Sequence, residues 1–206
     1  MDRLNGRQTE NQGFGGSDQI PVATGVLYTA GHLPRGGILR PRSNTTAVAA
    51  PIMIDLDQLD TSVLQYPIEE VRKYNPQRFE FEQLSGVYKI CPEQRMGVGY
   101  RDLGTDEYWT RGHIPGRPLF PGVLMLEAGA QLACFTYKIL YNDDPNRFLG
   151  FGGVEKVRFR ATVQPGERMI FIAKEIESRR RRFTFDVQGV VGGRLVFEAQ
   201  IIGMVV

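Results

Sequence analysis

The rhythm of apolar and polar positions divides this chain in two at Met53. Residues 1–52 keep no period, and they are interrupted by glycine, arginine and runs such as Gly13-Phe14-Gly15-Gly16 and Ser43-Asn44-Thr45-Thr46. A segment of this kind buries too little apolar surface to offset the entropy of ordering it. It reads as a disordered extension, or as one wrongly added ahead of a true start at Met53. From residue 53 to 206 the pattern is regular. Residues 67–74 predict a short helix, with Pro67 in its first turn and Pro76 past its end. Residues 86–103 alternate as strand, turn, strand. Residues 122–140 predict a helix that is apolar nearly all round, through Val123, Leu124, Met125, Leu126, Ala128, Ala130, Leu132, Ala133, Phe135, Ile139 and Leu140, and such a helix is buried on most sides. Asn142-Asp143-Asp144-Pro145 stops it. Residues 151–163, 167–177, 182–191 and 194–206 each read as a strand, punctuated by Gly152-Gly153, Pro165-Gly166 and Gly192-Gly193. One long buried helix followed by long antiparallel strands predicts an α+β domain, a sheet wrapped around a helix.

Composition narrows this picture. A chain of 206 residues with 42% hydrophobic content can build one domain with a real core. The formal net charge is +2, and the first 52 residues carry all of it, with five arginines against three acids. The neutral remainder argues against nucleic-acid binding, which leaves a strong basic footprint. Cys91 and Cys134 do not have metal-ligand spacing and read as two free thiols in a reducing compartment. No unbroken apolar run reaches the ~18 residues of a membrane span, and the N-terminus lacks the apolar centre of a signal peptide. The resulting expectation is a cytoplasmic protein with no membrane partner.

Candidate chemistry concentrates in His113-Ile114-Pro115-Gly116-Arg117-Pro118-Leu119-Phe120-Pro121-Gly122-Val123-Leu124-Met125-Leu126-Glu127. Histidine exchanges a proton near neutral pH. A carboxylate inside an apolar helix is costly without a partner or a task, and no Arg or Lys lies within a turn of Glu127. The Pro121-Gly122 step opens the helix, so its first N–H groups point toward the space near the histidine. Proton abstraction near neutral pH needs a base such as His113. Negative charge that develops in a reaction needs a fixed donor such as the Gly122 N–H, and a leaving group needs a proton donor such as Glu127. Gln131, one turn further on the same face, is expected to hydrogen-bond Glu127 or water. Phe120, Val123 and Leu124 are candidate linings for an apolar chain. Neither a metal site nor a nucleotide motif is present, and this chemistry needs no cofactor.

The same run, Gly112-His113-Ile114-Pro115-Gly116-Arg117-Pro118 with Pro121-Gly122-Val123-Leu124, Glu127-Ala128 and Ala130-Gln131, resembles the 3-hydroxyacyl-[acyl-carrier-protein] dehydratases of type II fatty-acid synthesis. Further blocks agree: Ile68-Glu69-Glu70, Pro76-Gln77-Arg78-Phe79, Lys156-Val157-Arg158-Phe159-Arg160 with Pro165-Gly166-Glu167, and Gly193-Arg194-Leu195-Val196-Phe197-Glu198-Ala199. The resemblance covers about residues 53–206 and departs from the family at Gln77 (usually histidine), Glu80 (usually proline) and Glu167 (usually aspartate).

The resemblance implies a hot-dog fold, with the sheet around one long helix. It implies conversion of (3R)-3-hydroxyacyl groups on acyl-carrier protein to trans-2-enoyl groups. It also implies that the Leu119 carbonyl orients the histidine. A homodimer would bring His113 of one subunit to the acid of the other, and a trimer of dimers is the next assembly. The rivals are a hot-dog acyl thioesterase, a dehydratase that also isomerises the double bond, and a non-catalytic acyl-binding module. Retention of both His113 and Glu127 weighs against the last. Two basic patches compete for an acidic carrier: Arg179 to Arg182 in a hairpin, and Lys156, Arg158 and Arg160 on one face of a strand.

Overall fold

The computed structural model describes residues 51–206, so the reading of the extension falls outside the described residues except at Pro51 and Ile52. The elements are β1 (Tyr66–Pro67), α1 (Ile68–Val71), β2 (Gly86–Cys91), β3 (Met96–Asp102), α2 (Gly122–Leu140), β4 (Leu149–Phe159), β5 (Arg168–Arg179), β6 (Arg182–Val191) and β7 (Arg194–Val205). The strands form one antiparallel sheet in the order β1-β2-β3-β5-β6-β7-β4. Helix α2 lies against its inner face, chiefly on β5 and β3. This is the α+β, hot-dog arrangement.

The long helix runs over the residues its periodicity predicts. The short helix α1 is only four residues, because Pro67 caps it and the chain tightens after Val71 into turns that end at a buried Asn75. By length and composition alone α2 passes for a membrane span, with a hydropathy of 1.3. Counting unbroken apolar runs misses this, because Glu127, Gln131 and Lys138 interrupt the run without raising its polarity much. The helix is spent on the core instead. Phe135 is fully buried, and Tyr66 and Tyr74 meet it edge-on at 5.1 and 5.5 Å. Truncating Phe135 to alanine would cost about 3–5 kcal/mol.

Glycines set how closely helix and sheet approach. A Cβ on Gly97 of β3 would stand 2.1 Å from Thr136 Oγ1, and one on Gly129 of α2 would stand 2.8 Å from Val187 Cγ1. Both faces of the sheet carry apolar residues. The inner face holds the main core, including Phe171, Phe183, Phe185, Val187 and Phe197. The outer face holds a second cluster, Tyr88, Met96, Val98, Ile172, Val190 and Leu195, covered by the segment from Ile52 to Leu59. Gln188 fastens that segment by both ends of its amide, accepting from the Met53 N–H at 2.8 Å and donating to the Pro51 carbonyl at 3.0 Å.

Strand β4 departs from simple alternation. Its pairing with β7 slips between Glu155 and Arg158, where Lys156 takes a positive φ of 52°. A bulge re-aims side chains, yet Lys156, Arg158 and Arg160 all stay on the outer face, around Glu198. Lys156 lies beside Asp186 and Gln188 on the outer face, Arg158 bonds its neighbour's carbonyl, and Arg160 pairs with Glu198. The run Arg179 to Arg182 forms the exposed tip of the β5–β6 hairpin.

Candidate active site

The loop that carries His113 is pinned at both ends. The His113 N–H donates to the Trp109 carbonyl at 2.8 Å, and the Phe120 N–H donates to the Val163 carbonyl at 2.8 Å. Trp109 is buried and its ring packs on Phe120 at 5.6 Å, so Phe120 belongs to the core of the protomer. Tyr108, its neighbour, is exposed. Between the pins, Ile114 takes φ 59° and Gly116 takes φ 78°. A β-branched residue in the left-handed region is strained by about 1–3 kcal/mol, and such strain gathers at functional loops.

His113 is exposed, and its Nδ1 lies 2.9 Å from the Leu119 carbonyl oxygen. A carbonyl only accepts, so Nδ1 carries the hydrogen. The neutral ring therefore presents an unprotonated Nε2 to solvent, which is the form a general base needs.

Glu127 is held differently. Its Oε1 accepts from Gln131 Nε2 at 2.8 Å. The same nitrogen donates to the Phe81 carbonyl at 2.6 Å, and Gln131 Oε1 accepts from the Gln83 N–H at 2.9 Å. Gln131 is buried, and reversing its amide would set oxygen against oxygen and nitrogen against N–H, so its orientation is fixed. The turn from Phe79 to Phe81 is itself anchored, because Arg78 donates to the Asn75, Gln77 and Arg72 carbonyls and Glu82 takes both hydrogen bonds of Arg72. Asn75 closes the group by donating to the Gln131 carbonyl at 3.0 Å. The bond from Gln131 to Glu127 follows from their spacing. The contributions of Asn75, Phe81 and Gln83 do not, because two of them act through backbone atoms.

At the helix start, Pro121 provides no side-chain cap, so the first N–H groups of α2 have no intrahelical acceptor. A Cβ on Gly122 would stand 2.7 Å from the Phe159 ring, which gives the glycine a packing reason beside the chemical one. Val123 next to it is 70% exposed, and Leu124 is partly buried against the core. Within the protomer no hydrogen bond or ion pair joins His113 to Glu127.

Residues 75–200 match the FabA-like domain family. The chain is 34% identical over 134 residues to the 3-hydroxyacyl-[acyl-carrier-protein] dehydratase FabZ of Syntrophotalea carbinolica, covering 65% of this chain and 90% of that protein. The chain belongs to this dehydratase family. A second FabZ dehydratase, from Teredinibacter turnerae, is 36% identical over 138 residues, covering 65% of this chain and 92% of the relative. The fold recurs in the dehydratase heterocomplex ApeI:P from Xenorhabdus doucetiae, with a TM-score of 0.57 at 12% identity over 66% of this chain and 90% of that one. It recurs also in the HP0420 homologue from Helicobacter felis, with a TM-score of 0.51 at 14% identity over 68% of this chain and 90% of that one. The dehydratase family match takes in Gln131 and its partners Asn75, Phe81 and Gln83 along with His113 and Glu127, whereas the strap from Ile52 to Leu59 precedes it.

Proposed function

We propose that His113 and Glu127 carry out the dehydration of (3R)-3-hydroxyacyl groups on acyl-carrier protein to trans-2-enoyl groups in fatty-acid biosynthesis. His113 Nε2 takes a proton from C2 beside the thioester carbonyl. The negative charge that develops on the carbonyl oxygen is met by the Gly122 N–H at the positive end of α2. The electrons left on C2 form the C2–C3 double bond as the C3–O bond breaks, and the hydroxyl leaves with a proton from Glu127 as water. The proton on His113 then returns to the Glu127 carboxylate, which resets the site. Because Oε1 of Glu127 is committed to the Gln131 donor, Oε2 is the oxygen that delivers the proton.

The observation that carries this reading is the bond from Nδ1 to Leu119, which leaves Nε2 free as a base. A homodimer completes the site, with His113 of one subunit facing Glu127 of the other, and a trimer of dimers is the further assembly. The exposure of Val123 and Phe159 at the helix start supports a covering partner there. The place of action is the cytoplasm. Hydration of crotonoyl thioester, followed as loss of enoyl absorbance, tests the reading in wild type beside His113→Ala and Glu127→Gln. Wild-type turnover that collapses in both folded variants is the expected result. Turnover that survives either substitution would remove that residue from the mechanism.

A further inference from the structure

Val123, Glu127 and Gln131 follow one another at four-residue steps, so they stand in line on one face of α2. The line begins beside Gly122 and passes the acid. It ends at Gln131, where the turn Phe79–Phe81 meets the helix. Glu127 Oε1 and the Phe81 carbonyl accept from the same Gln131 nitrogen, at 2.8 and 2.6 Å, so this turn borders the acid directly.

The side chains of the turn are placed against the usual rule of packing. Phe79 is 89% exposed and Phe81 is 66% exposed. Phe79 also takes φ 55°, a conformation that a bulky side chain rarely holds. The backbone that carries them is nevertheless fully tied. The Phe79 carbonyl accepts from the Glu82 N–H at 3.0 Å, the Glu80 carbonyl from Gln83 Nε2 at 2.6 Å, and the Phe81 carbonyl from Gln131. Strain of this kind persists where the surroundings over-determine it, and it gathers at ligand clamps. Two aromatic rings on a rigid turn lose little freedom when an apolar ligand settles on them. Glu80, between the two, is exposed and supplies no apolar contact.

A substrate with its thioester oxygen at the Gly122 N–H and its C3 at Glu127 lies along this line. Carried on in the same sense, the carbons beyond C3 run toward Gln131 and onto the turn. We infer that Phe79 and Phe81 are specificity-determining residues, whose rings hold the acyl tail beyond C3 and make the site prefer chains longer than crotonoyl. The inference rests on the dehydratase reading of His113 and Glu127 and deepens it by naming what receives the tail. Phe81 borders the acid and meets the first carbons past the reacting centre; Phe79 meets those that follow.

The test measures hydration of the N-acetylcysteamine thioesters of crotonate and trans-2-octenoate, which differ only in the tail and need no carrier. Wild type is expected to show a kcat/KM about tenfold higher for the octenoyl thioester. Phe81→Ala is expected to bring that ratio close to one, and Phe79→Ala to lower it by a smaller factor. Phe81→Leu keeps an apolar side chain and should hold most of the preference, while Glu80→Gln should leave the ratio where it was. A wild-type ratio near one overturns the proposal, as does a ratio that survives both alanine variants. An equal fall for both substrates in Phe81→Ala overturns it too, because the turn would then only support the acid. Sedimentation velocity should give the variants the mass of wild type; a change of mass would assign the rings to a contact between subunits and sink the proposal. Absence of crotonoyl hydration in wild type is a separate outcome: it removes the reading of His113 and Glu127, and the inference falls with it.

Discussion

The two halves of the proposed site, His113 as base and Glu127 as acid, are built in opposite ways. The base stands on an exposed loop, and its one side-chain contact reaches a carbonyl six residues along. The acid stands inside the longest helix, and the amide that orients it is tied to backbone atoms 50 and 48 positions away in the chain. The base is therefore set by local loop geometry, strained at Ile114, while the acid is set by the tertiary fold. A loop can adjust when substrate closes on it, whereas a carboxylate held by a fully bonded amide gives a fixed point of reference.

The sharpest way to break this contrast is to remove each group. His113→Ala and Glu127→Gln should each lower kcat/KM in crotonoyl hydration by about 10²–10⁴. His113→Ala should leave Tm nearly unmoved, because the ring is exposed. Gln131→Leu separates the halves further. It should cost about 1–3 kcal/mol in denaturant unfolding, since it strands the Phe81 carbonyl and the Gln83 N–H. It should also reduce kcat by roughly tenfold to a hundredfold with little change in KM, because Glu127 loses its orientation. Activity lost with stability intact would show that the acid is not positioned by packing. Gly97→Ala acts on the fold alone: its Cβ would meet Thr136 Oγ1 at 2.1 Å, so about 1–3 kcal/mol of destabilisation is expected, partly recovered by adding Thr136→Ala.

The smallest effect concerns Cys134. Burial pushes its thiol from 9.0 up to about 12. Below 9.0 both folded and unfolded forms hold the proton and no difference arises. Between 9.0 and about 12 the folded form holds it more tightly, so stability from this group declines as pH rises through that window. The native protein should resist alkylation at Cys134 at pH 8, read by mass spectrometry of tryptic peptides; rapid labelling there would mean that the thiol ionises more readily than its surroundings imply.

Much of this molecule was legible in one dimension. The all-apolar period of 122–140 and the glycine punctuation after residue 150 are local signals, and helix and strands follow them within a few residues. The spacing of Glu127 and Gln131 likewise gave their bond. What remained hidden depends on distant chain or on local irregularity. The bulge at Lys156 is one extra residue that alternation cannot count. The strap from Ile52 to Leu59 covers the outer face through apolar residues placed just where the chain's character changes, so a boundary drawn at 52 cut through it. The burial of Phe120 against Trp109 reflects tertiary packing that no motif spacing encodes.

The saturated amide of Gln131 also makes a spectroscopic reporter. Its two side-chain protons sit on different acceptors, one on a peptide carbonyl that never titrates and one on the carboxylate of Glu127. In a nitrogen–proton correlation spectrum they should give two well-separated, slowly exchanging resonances. As Glu127 takes up or gives away its proton, the resonance facing it should move while its twin stays still. The molecule thus carries an internal reference beside its own gauge, able to report the ionisation of Glu127 without substrate, mutation or any probe beyond nitrogen-15.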